Sequence, residues 1–485
     1  MVFIGAGEQP VVAMFNVSMI GHVNPTFPLV MELVGRGCKV HYFLPPNEDI
    51  RSAARDAGAF VEAYLEDDPQ DFVLEQCGVD HMIPDLPEEE QQLWRGAVWP
   101  LASTLLCGDH LITRCRDLGI QAVLYDPMAP HGLLVAHALR VPCVSLVTYP
   151  GMGSLAGLMK DEQRLRFAME TREEYGQRIK ERFDVDMQDQ MLSRRQYFAS
   201  ENFITTSDDL VVPLPAPGEK RWADEFRGEH FRFEAVGCMV SKSAPHVAMA
   251  RAAPSETALL LDFGSDLPVH ELGSAKARGD KIVYCALGTM ALASRWNMDL
   301  GMYSAGNLPA GTTGKEFCQH VWRALLAALD FLGPGFHCVI SAGTQLDALD
   351  FLPGGVGQLP ANATVRSSVP QVEMLHSYAD VFISHAGFNS LQESVFEGVP
   401  MIAVPQAVDQ PANTRKVEAS GWGRAFLEPM SSVTAESLVE ALREITSNTS
   451  AASIHAKLEA SRAKLRGGEM RAADRLLDFA AGGGA

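Results

Sequence analysis

Two α/β units, each built on a parallel sheet, are what this chain of 485 residues predicts. Three observations carry that expectation. Short apolar runs recur, each followed by a turn and a helical pattern, as at 11–16 with 26–34, 121–125 with 131–139, and 380–384 with 391–396. The length exceeds what one hydrophobic core ordinarily organises. Between 236 and 280 the alternation breaks up, with Ser241, Pro245, Pro254, Gly264 and Gly273 scattered among polar residues, which reads as a connection. The expected organisation is residues 1–235 as a first domain, 236–280 as a linker, 281–466 as a second domain, and 467–485 as a terminal helix with a glycine tail at 482–484.

In the first domain, residues 11–16 make a strand, and the helix at 26–34 is closed by Gly35 and Gly37. His22 lies in the loop between them, where α/β sheets present their ligands. A second strand, 38–44, ends at Pro45 and Pro46. The strand at 121–125 ends on Asp126 and is followed by a helix at 131–139. A histidine and an aspartate at the ends of two strands of one sheet can meet, which is the geometry of a general base oriented by a carboxylate. On pattern alone, helix capping by each side chain is the simpler account. In the charged stretch 160–186, Leu165, Met169, Tyr175, Ile179 and Phe183 recur at helical spacing, predicting one or two amphipathic helices.

The second domain opens with a strand at 281–286 that runs into the turn residues Gly288 and Thr289. Residues 291–313, with Trp296, Tyr303 and several glycines, read as an insertion, either a solvated excursion or a cover carrying an aromatic side chain. The densest pattern runs from His385 to Gln410. A strand at 380–384 is followed by the turn His385-Ala386-Gly387, then by Asn389 and Ser390, residue types that cap helices, then by a helix stopped at Gly398 and Pro400. A helix opening at the carboxyl end of a parallel strand offers unpaired N–H groups and a positive dipole end, which suits a pyrophosphate. His385, Asn389 and Ser390 add donors, and Glu393, one turn into the helix, is placed to accept from ribose hydroxyls. Past the strand at 401–404, Asp409 and Gln410 are placed to hold vicinal sugar hydroxyls. Nothing in the spacing requires a metal.

With these residues in view, the chain resembles the inverting nucleotide-sugar-dependent glycosyltransferases of the plant and macrolide type, the UDP-glycosyltransferase family. Their signature runs W-x-P-Q, then H-x-G-x-N-S-x-x-E, then P, then D/E-Q. The matching residues are Pro370 and Gln371, then His385, Gly387, Asn389, Ser390 and Glu393, then Asp409 and Gln410. One departure stands out. The tryptophan that stacks on the base in the family is Ser368 here, so the resemblance leaves the base to another aromatic or to backbone groups near Val369.

The resemblance implies the GT-B fold, two Rossmann-like domains with parallel sheets facing a central cleft, acceptor on the first and donor on the second, and a terminal helix crossing back to the first. It also implies that His22 and Asp126 are the catalytic dyad and that Gly288 and Thr289 lie near the diphosphate. The implied reaction is transfer of a hexose, glucose by default, from UDP-glucose to a hydroxyl of a lipophilic small molecule, with no metal or other cofactor. A nucleotide-sugar epimerase of the same architecture and a catalytically silent partner protein are the alternatives.

Composition bounds the partners. Forty Lys and Arg against sixty Asp and Glu leave a net charge of −20, which argues against nucleic acid or an anionic membrane as partner. No apolar run approaches the roughly 18 residues of a membrane span. The start, MVFIGAGEQPVVAMF, lacks a basic segment ahead of its apolar run, so a cytoplasmic protein is expected. The nine cysteines include no C-x-x-C pair and are expected to be reduced core residues.

Overall fold

The computed structural model describes residues 9–64, 88–157, 162–186, 191–193, 196–219, 223–224, 227, 231–241, 243–247, 263–300, 307–352, 354 and 359–482. The chain divides into two compact units. The first comprises residues 1–153, 159–247 and 467–485, and the second residues 154–158 and 248–466.

The first unit is organised by β1 (Val11–Phe15), β2 (Lys39–Leu44), β3 (Phe60–Ala63), β4 (Ala122–Tyr125) and β5 (Cys143–Val147). A two-stranded antiparallel ribbon, β6 (Met191–Ser193) and β7 (Gln196–Tyr197), precedes β8 (Glu201–Ile204) and β9 (Arg232–Ala235). The sheet order is β3-β2-β1-β4-β5-β8-β9, and every neighbouring pair is parallel.

Strand β1 shows why its sequence is an unbroken apolar run. Side chains alternate between the faces of a strand, and here both faces are covered. Ala13 and Phe15 join Phe43, Val123 and Tyr125 on one side. Val12 and Met14 join Val40, Tyr42 and Leu124 on the other. The helix Glu162–Phe183 is continuous and seats Tyr175 and Ile179 in the first of these clusters. Of its expected apolar stripe, the side chains of Leu165 and Met169 lie outside the described residues.

The helix Gly468–Gly482 belongs to this first unit. Ala472, Ala473 and Leu476 are fully buried against the cluster that holds Phe27, Val30 and Leu33 of the helix Phe27–Gly35. Arg471 Nε donates to the Val236 carbonyl (2.6 Å), Arg475 pairs with Glu234 (2.8 Å), and Arg36 pairs with Asp474. The tail at 483–485 lies outside the described residues.

The second unit holds β10 (Lys281–Ala286), β11 (Phe336–Ser341), β12 (Ala363–Arg366), β13 (Val381–Ser384), β14 (Met401–Ala403) and β15 (Gly423–Ala425). They pair in the order β12-β11-β10-β13-β14-β15, all parallel. This is the 3-2-1-4-5-6 strand order of a dinucleotide-type Rossmann sheet. Val283 and Cys285 face the helix Gly314–Leu332, which contributes Phe317, Val321, Trp322 and Leu325. That helix opens with a capping box in which Thr313 and Glu316 satisfy each other's end of the first turn. On the opposite face Tyr284 stacks on Phe382 with ring centroids 5.1 Å apart.

Two segments differ from the sequence expectation. Within 236–280 the residues Val269–Arg278 form a helix that leads into β10. The insertion at 291–313 is neither a solvated excursion nor an aromatic cover in its described part. Ala291, Leu292, Trp296, Leu300 and Leu308 are buried in the second core, and Trp296 Nε1 donates to Asp347 Oδ1 (2.7 Å). Glycines flanking a run of large apolar residues look like loop in one dimension, whereas burial of the indole decides the packing. Tyr303 lies outside the described residues.

Among the described residues no helix is long and apolar enough to cross a membrane, and the cysteines are free thiols. Burial pushes the Cys285 thiol up to about 12. Because Leu476 is fully buried, Leu476→Ala is expected to destabilise the first unit by about 2–5 kcal/mol, read as a lowered unfolding midpoint in urea.

Candidate functional site

In both sheets the order of strands reverses at one place, between β1 and β4 in the first unit and between β10 and β13 in the second. Loops leaving neighbouring strands diverge there, opening a crevice at the carboxyl ends. His22 and Asp126 sit at the first of these places, and Gly288, Thr289 and His385 at the second.

In the first unit, His22 lies within a short helical turn, Ile20–Val23, after β1, and Asp126 directly follows β4. His22 Nδ1 lies 2.7 Å from Asp126 Oδ2, with side-chain exposures of 18% and 2%. The carboxylate is therefore removed from water while the ring keeps an accessible edge. The other carboxylate oxygen accepts from the Met128 backbone N–H (2.8 Å). With Nδ1 donating to the carboxylate, the lone pair of the neutral ring lies on Nε2. Thr148, directly after β5 and buried, places Oγ1 at 3.3 Å from His22 Nδ1. Sequence reasoning passed over this residue, although a polar side chain ending an apolar strand run is a visible signal.

In the second unit, Gly288 and Thr289 follow β10, and His385, Ala386 and Gly387 follow β13. The His385 ring fills the space between the two loops. A Cβ on Gly288 would come within 2.4 Å of its Nε2, and one on Gly387 within 2.3 Å. Gly288 also has φ +84°, so glycine is required there on two counts. Burial pushes the His385 imidazole down to about 4, opposed by a hydrogen bond with the Ala286 carbonyl. The ring is neutral at pH 7.

The helix Phe388–Glu397 begins three residues before the expected start at Leu391. Gly387 is its N-cap and no side chain caps it, so Asn389 and Ser390 lie within the first turn and are not caps. Compact glycine lets the chain turn against the His385 ring, which an Asn or Ser at the cap would not permit. The uncapped N–H groups face the strand end. Ser390 Oγ accepts from Gln371 Nε2 (3.0 Å), and the same amide donates to Glu393 Oε2 (2.5 Å). Gln371 is the first residue of the helix Gln371–Ser377. Burial pushes the Glu393 carboxyl up to about 7, against the stabilising hydrogen bond from Gln371, with Glu397 adding to the rise.

Ser368 and Val369 follow β12. Ser368 is half-buried and Val369 buried. The neighbouring Ser367 is bound to an upstream segment: its Oγ accepts from the Phe263 N–H (3.2 Å) and its N–H donates to the Gly264 carbonyl (2.9 Å).

Asp409 and Gln410 open the helix Gln410–Ser420 after β14. Gln410 Oε1 accepts from the backbone N–H groups of Gln406 (2.8 Å) and Ala407 (3.2 Å). Its amide oxygen is thus engaged by the loop backbone. Two buried amides that sequence reasoning missed tie the loops together. Gln406 Nε2 donates to the Leu287 carbonyl (2.6 Å), and Asn413 Nδ2 donates to both the Ala386 carbonyl and Asp409 Oδ2 (2.9 Å each). Asn413 lies four residues past Asp409, the spacing of helix neighbours, which was its signal in the sequence. Ala386 and Val408, with φ of +58° and +59°, are the strained residues this lacing holds.

Similarity to known proteins agrees with this architecture. A sequence model of the family described as UDP-glucoronosyl and UDP-glucosyl transferase matches residues 355–457. The NDP-glycosyltransferase YjiC of Bacillus subtilis (strain 168) is 25% identical over 440 residues, covering 90% of this chain and 89% of that protein. The oleandomycin glycosyltransferase of Streptomyces antibioticus is 24% identical over 468 residues, covering 96% and 89%. Among solved structures, the glycotransferase of kitacinnamycin superposes with a TM-score of 0.65 at 21% identity, covering 98% of this chain and 99% of that one. The two parallel-sheet units have the GT-B fold, and the sequence matches indicate a nucleotide-sugar glycosyltransferase. Residues 355–457 thus carry the domain of the UDP-glycosyltransferase family, and relatives named as glycosyltransferases align over most of the chain.

The position of Glu393 yields a pH test. Its folded-state value lies above the ordinary 4.5, so the stability tied to its proton is full below about 4.5 and lost as pH rises through about 7. Glu393→Gln is expected to match the parent at pH 4.5 and to exceed it at pH 8 by on the order of 1–3 kcal/mol. Denaturant titrations at the two pH values check this.

Proposed function

We propose that this enzyme moves a hexose, glucose from UDP-glucose, to a hydroxyl of a lipophilic small molecule in the cytoplasm, with inversion at the anomeric carbon. The observation that carries the reading is the 2.7 Å contact between His22 Nδ1 and the buried Asp126 carboxylate at a strand-order reversal. An acceptor hydroxyl is a weak nucleophile, and a base must take its proton as it attacks. His22 Nε2 receives that proton, while Asp126 holds the tautomer and stabilises the imidazolium that forms. In one displacement the acceptor oxygen bonds to the anomeric carbon as the bond to the diphosphate oxygen breaks, so the configuration inverts.

The second unit holds the donor in this reading. The diphosphate lies at the N-terminus of the helix Phe388–Glu397, near Gly288 and Thr289, where uncapped N–H groups offset the charge of the departing UDP. His385 supports that turn as a neutral ring. Glu393 accepts from the ribose hydroxyls, and Asp409 accepts from, and Gln410 donates to, the hexose hydroxyls. The base lies against Val369 and Ser368. Similarity to a relative named for oleandomycin supports a bulky lipophilic acceptor. The chemistry assigned to these side chains is proton transfer and hydrogen bonding, with no metal or other cofactor in any step.

His22→Ala is expected to lower kcat for glucosyl transfer from UDP-glucose roughly 10²- to 10⁴-fold with UDP binding by calorimetry unchanged. Glu393→Ala is expected to weaken UDP binding first. Parental activity in His22→Ala would remove the base assignment. Ser368→Trp is expected to tighten UDP binding roughly tenfold by giving the base an aromatic face, again read by calorimetry.

A further inference from the structure

Beneath the turn that carries His22 lies a polar network that no step above uses. It consists of Asn16, directly after β1, Tyr42 of β2 and Thr26, with exposures of 1%, 0% and 1%. Asn16 Oδ1 accepts from the Val17 N–H (2.8 Å), which fixes the amide orientation. Its Nδ2 therefore donates in two directions, to the His22 carbonyl (3.1 Å) and to Tyr42 Oη (3.0 Å). Tyr42 Oη lies 2.7 Å from Thr26 Oγ1, and Thr26 Oγ1 donates to the Val23 carbonyl (2.7 Å). Since the single hydroxyl proton of Thr26 is committed to Val23, the Tyr42 proton must point at Thr26. The chain of donors runs one way, from Asn16 through Tyr42 and Thr26, and it ends on the carbonyls of His22 and Val23.

We infer that Asn16, Tyr42 and Thr26 are positioning residues for His22, which act by gripping two consecutive carbonyls of its turn and so setting where the imidazole meets Asp126 and the acceptor. This rests on His22 being the base. The turn needs such a grip because it is short, Ile20–Val23, and has no side-chain cap. The network supplies from below what the helical turn does not supply for itself. Asp126 orients the ring through Nδ1, and the direction of the ring also depends on the backbone from which it projects. Holding the His22 carbonyl fixes that backbone.

The test uses the full-length enzyme with UDP-glucose and an accepted alcohol, comparing kcat, donor KM and UDP affinity. Thr26→Val, isosteric but without the proton, and Tyr42→Phe are expected to lower kcat roughly tenfold to a hundredfold, with donor KM and UDP affinity unchanged. Thr26→Ser, which keeps the hydroxyl, is expected to retain parental kcat. On the His22→Ala background, Tyr42→Phe is expected to cause no further loss of the residual rate. The inference is overturned if Thr26→Val and Tyr42→Phe keep parental kcat, if Thr26→Ser loses as much as Thr26→Val, or if Tyr42→Phe costs the same factor with and without His22. If the residual rate of His22→Ala is too low to follow, the Thr26 pair decides. Full activity in His22→Ala would instead remove the reading of His22 as base, an outcome visible before any of the network variants is made.

Discussion

The reversal of strand order in a parallel sheet is the constraint on which everything else here depends. Loops that follow adjacent strands normally turn to the same side, but at the reversal they part. The chain ends up with backbone polar groups exposed at an edge that strand pairing no longer satisfies. Each unit resolves this differently. In the second, buried amides take the carbonyls: Gln406 holds Leu287, and Asn413 holds Ala386. The helix that follows, Phe388–Glu397, has no side-chain cap at its N-terminus. In the first, the network under His22 takes the carbonyls, and the hydrogen-bonded His22–Asp126 pair occupies the strand ends.

The two units also handle ionisable groups in opposite ways. His22 is paired with a carboxylate that two hydrogen bonds keep in place. Among the described residues no carboxylate pairs with His385, whose ring is closed in by Gly288 and Gly387, and burial keeps it neutral. A neutral ring can serve as a wall that shapes the turn without adding a charge. Glu393 is buried as well, and its single strong donor, Gln371, does not offset the loss of water. Burial thus sets the behaviour of each side chain more than residue type does.

Much of this was legible in the chain itself, because strands buried on both faces write themselves as apolar runs and the following turns as glycine and polar residues. The edges of β1, β4, β10 and β13 could be placed within a residue or two for that reason, and with them His22, Asp126, Gly288 and His385. What the sequence did not disclose is what depends on contact across the sheet. Nothing local marks Tyr42 as a partner of Asn16, 26 positions away. Gln406 reads as one more polar residue in a strand-end loop until Leu287, 119 positions earlier, is seen to need a donor. The packing of Trp296 was obscured by the glycines around it. The cap of the helix at Phe388 was misread because capping preference is a local rule, whereas the space beside His385 is a tertiary one.

The placement of residues 468–482 in the first unit has a consequence for how the protein is made. Ribosomes release a chain from its amino end, so the seven-stranded sheet emerges long before the helix that covers part of one face, with the whole second unit synthesised in between. During that interval the surface around Phe27, Val30 and Leu33 lacks Ala472, Ala473 and Leu476. The half of the molecule that is translated first is therefore finished last, and in the meantime an apolar groove stands open to chaperones or to the same groove on a neighbouring nascent chain.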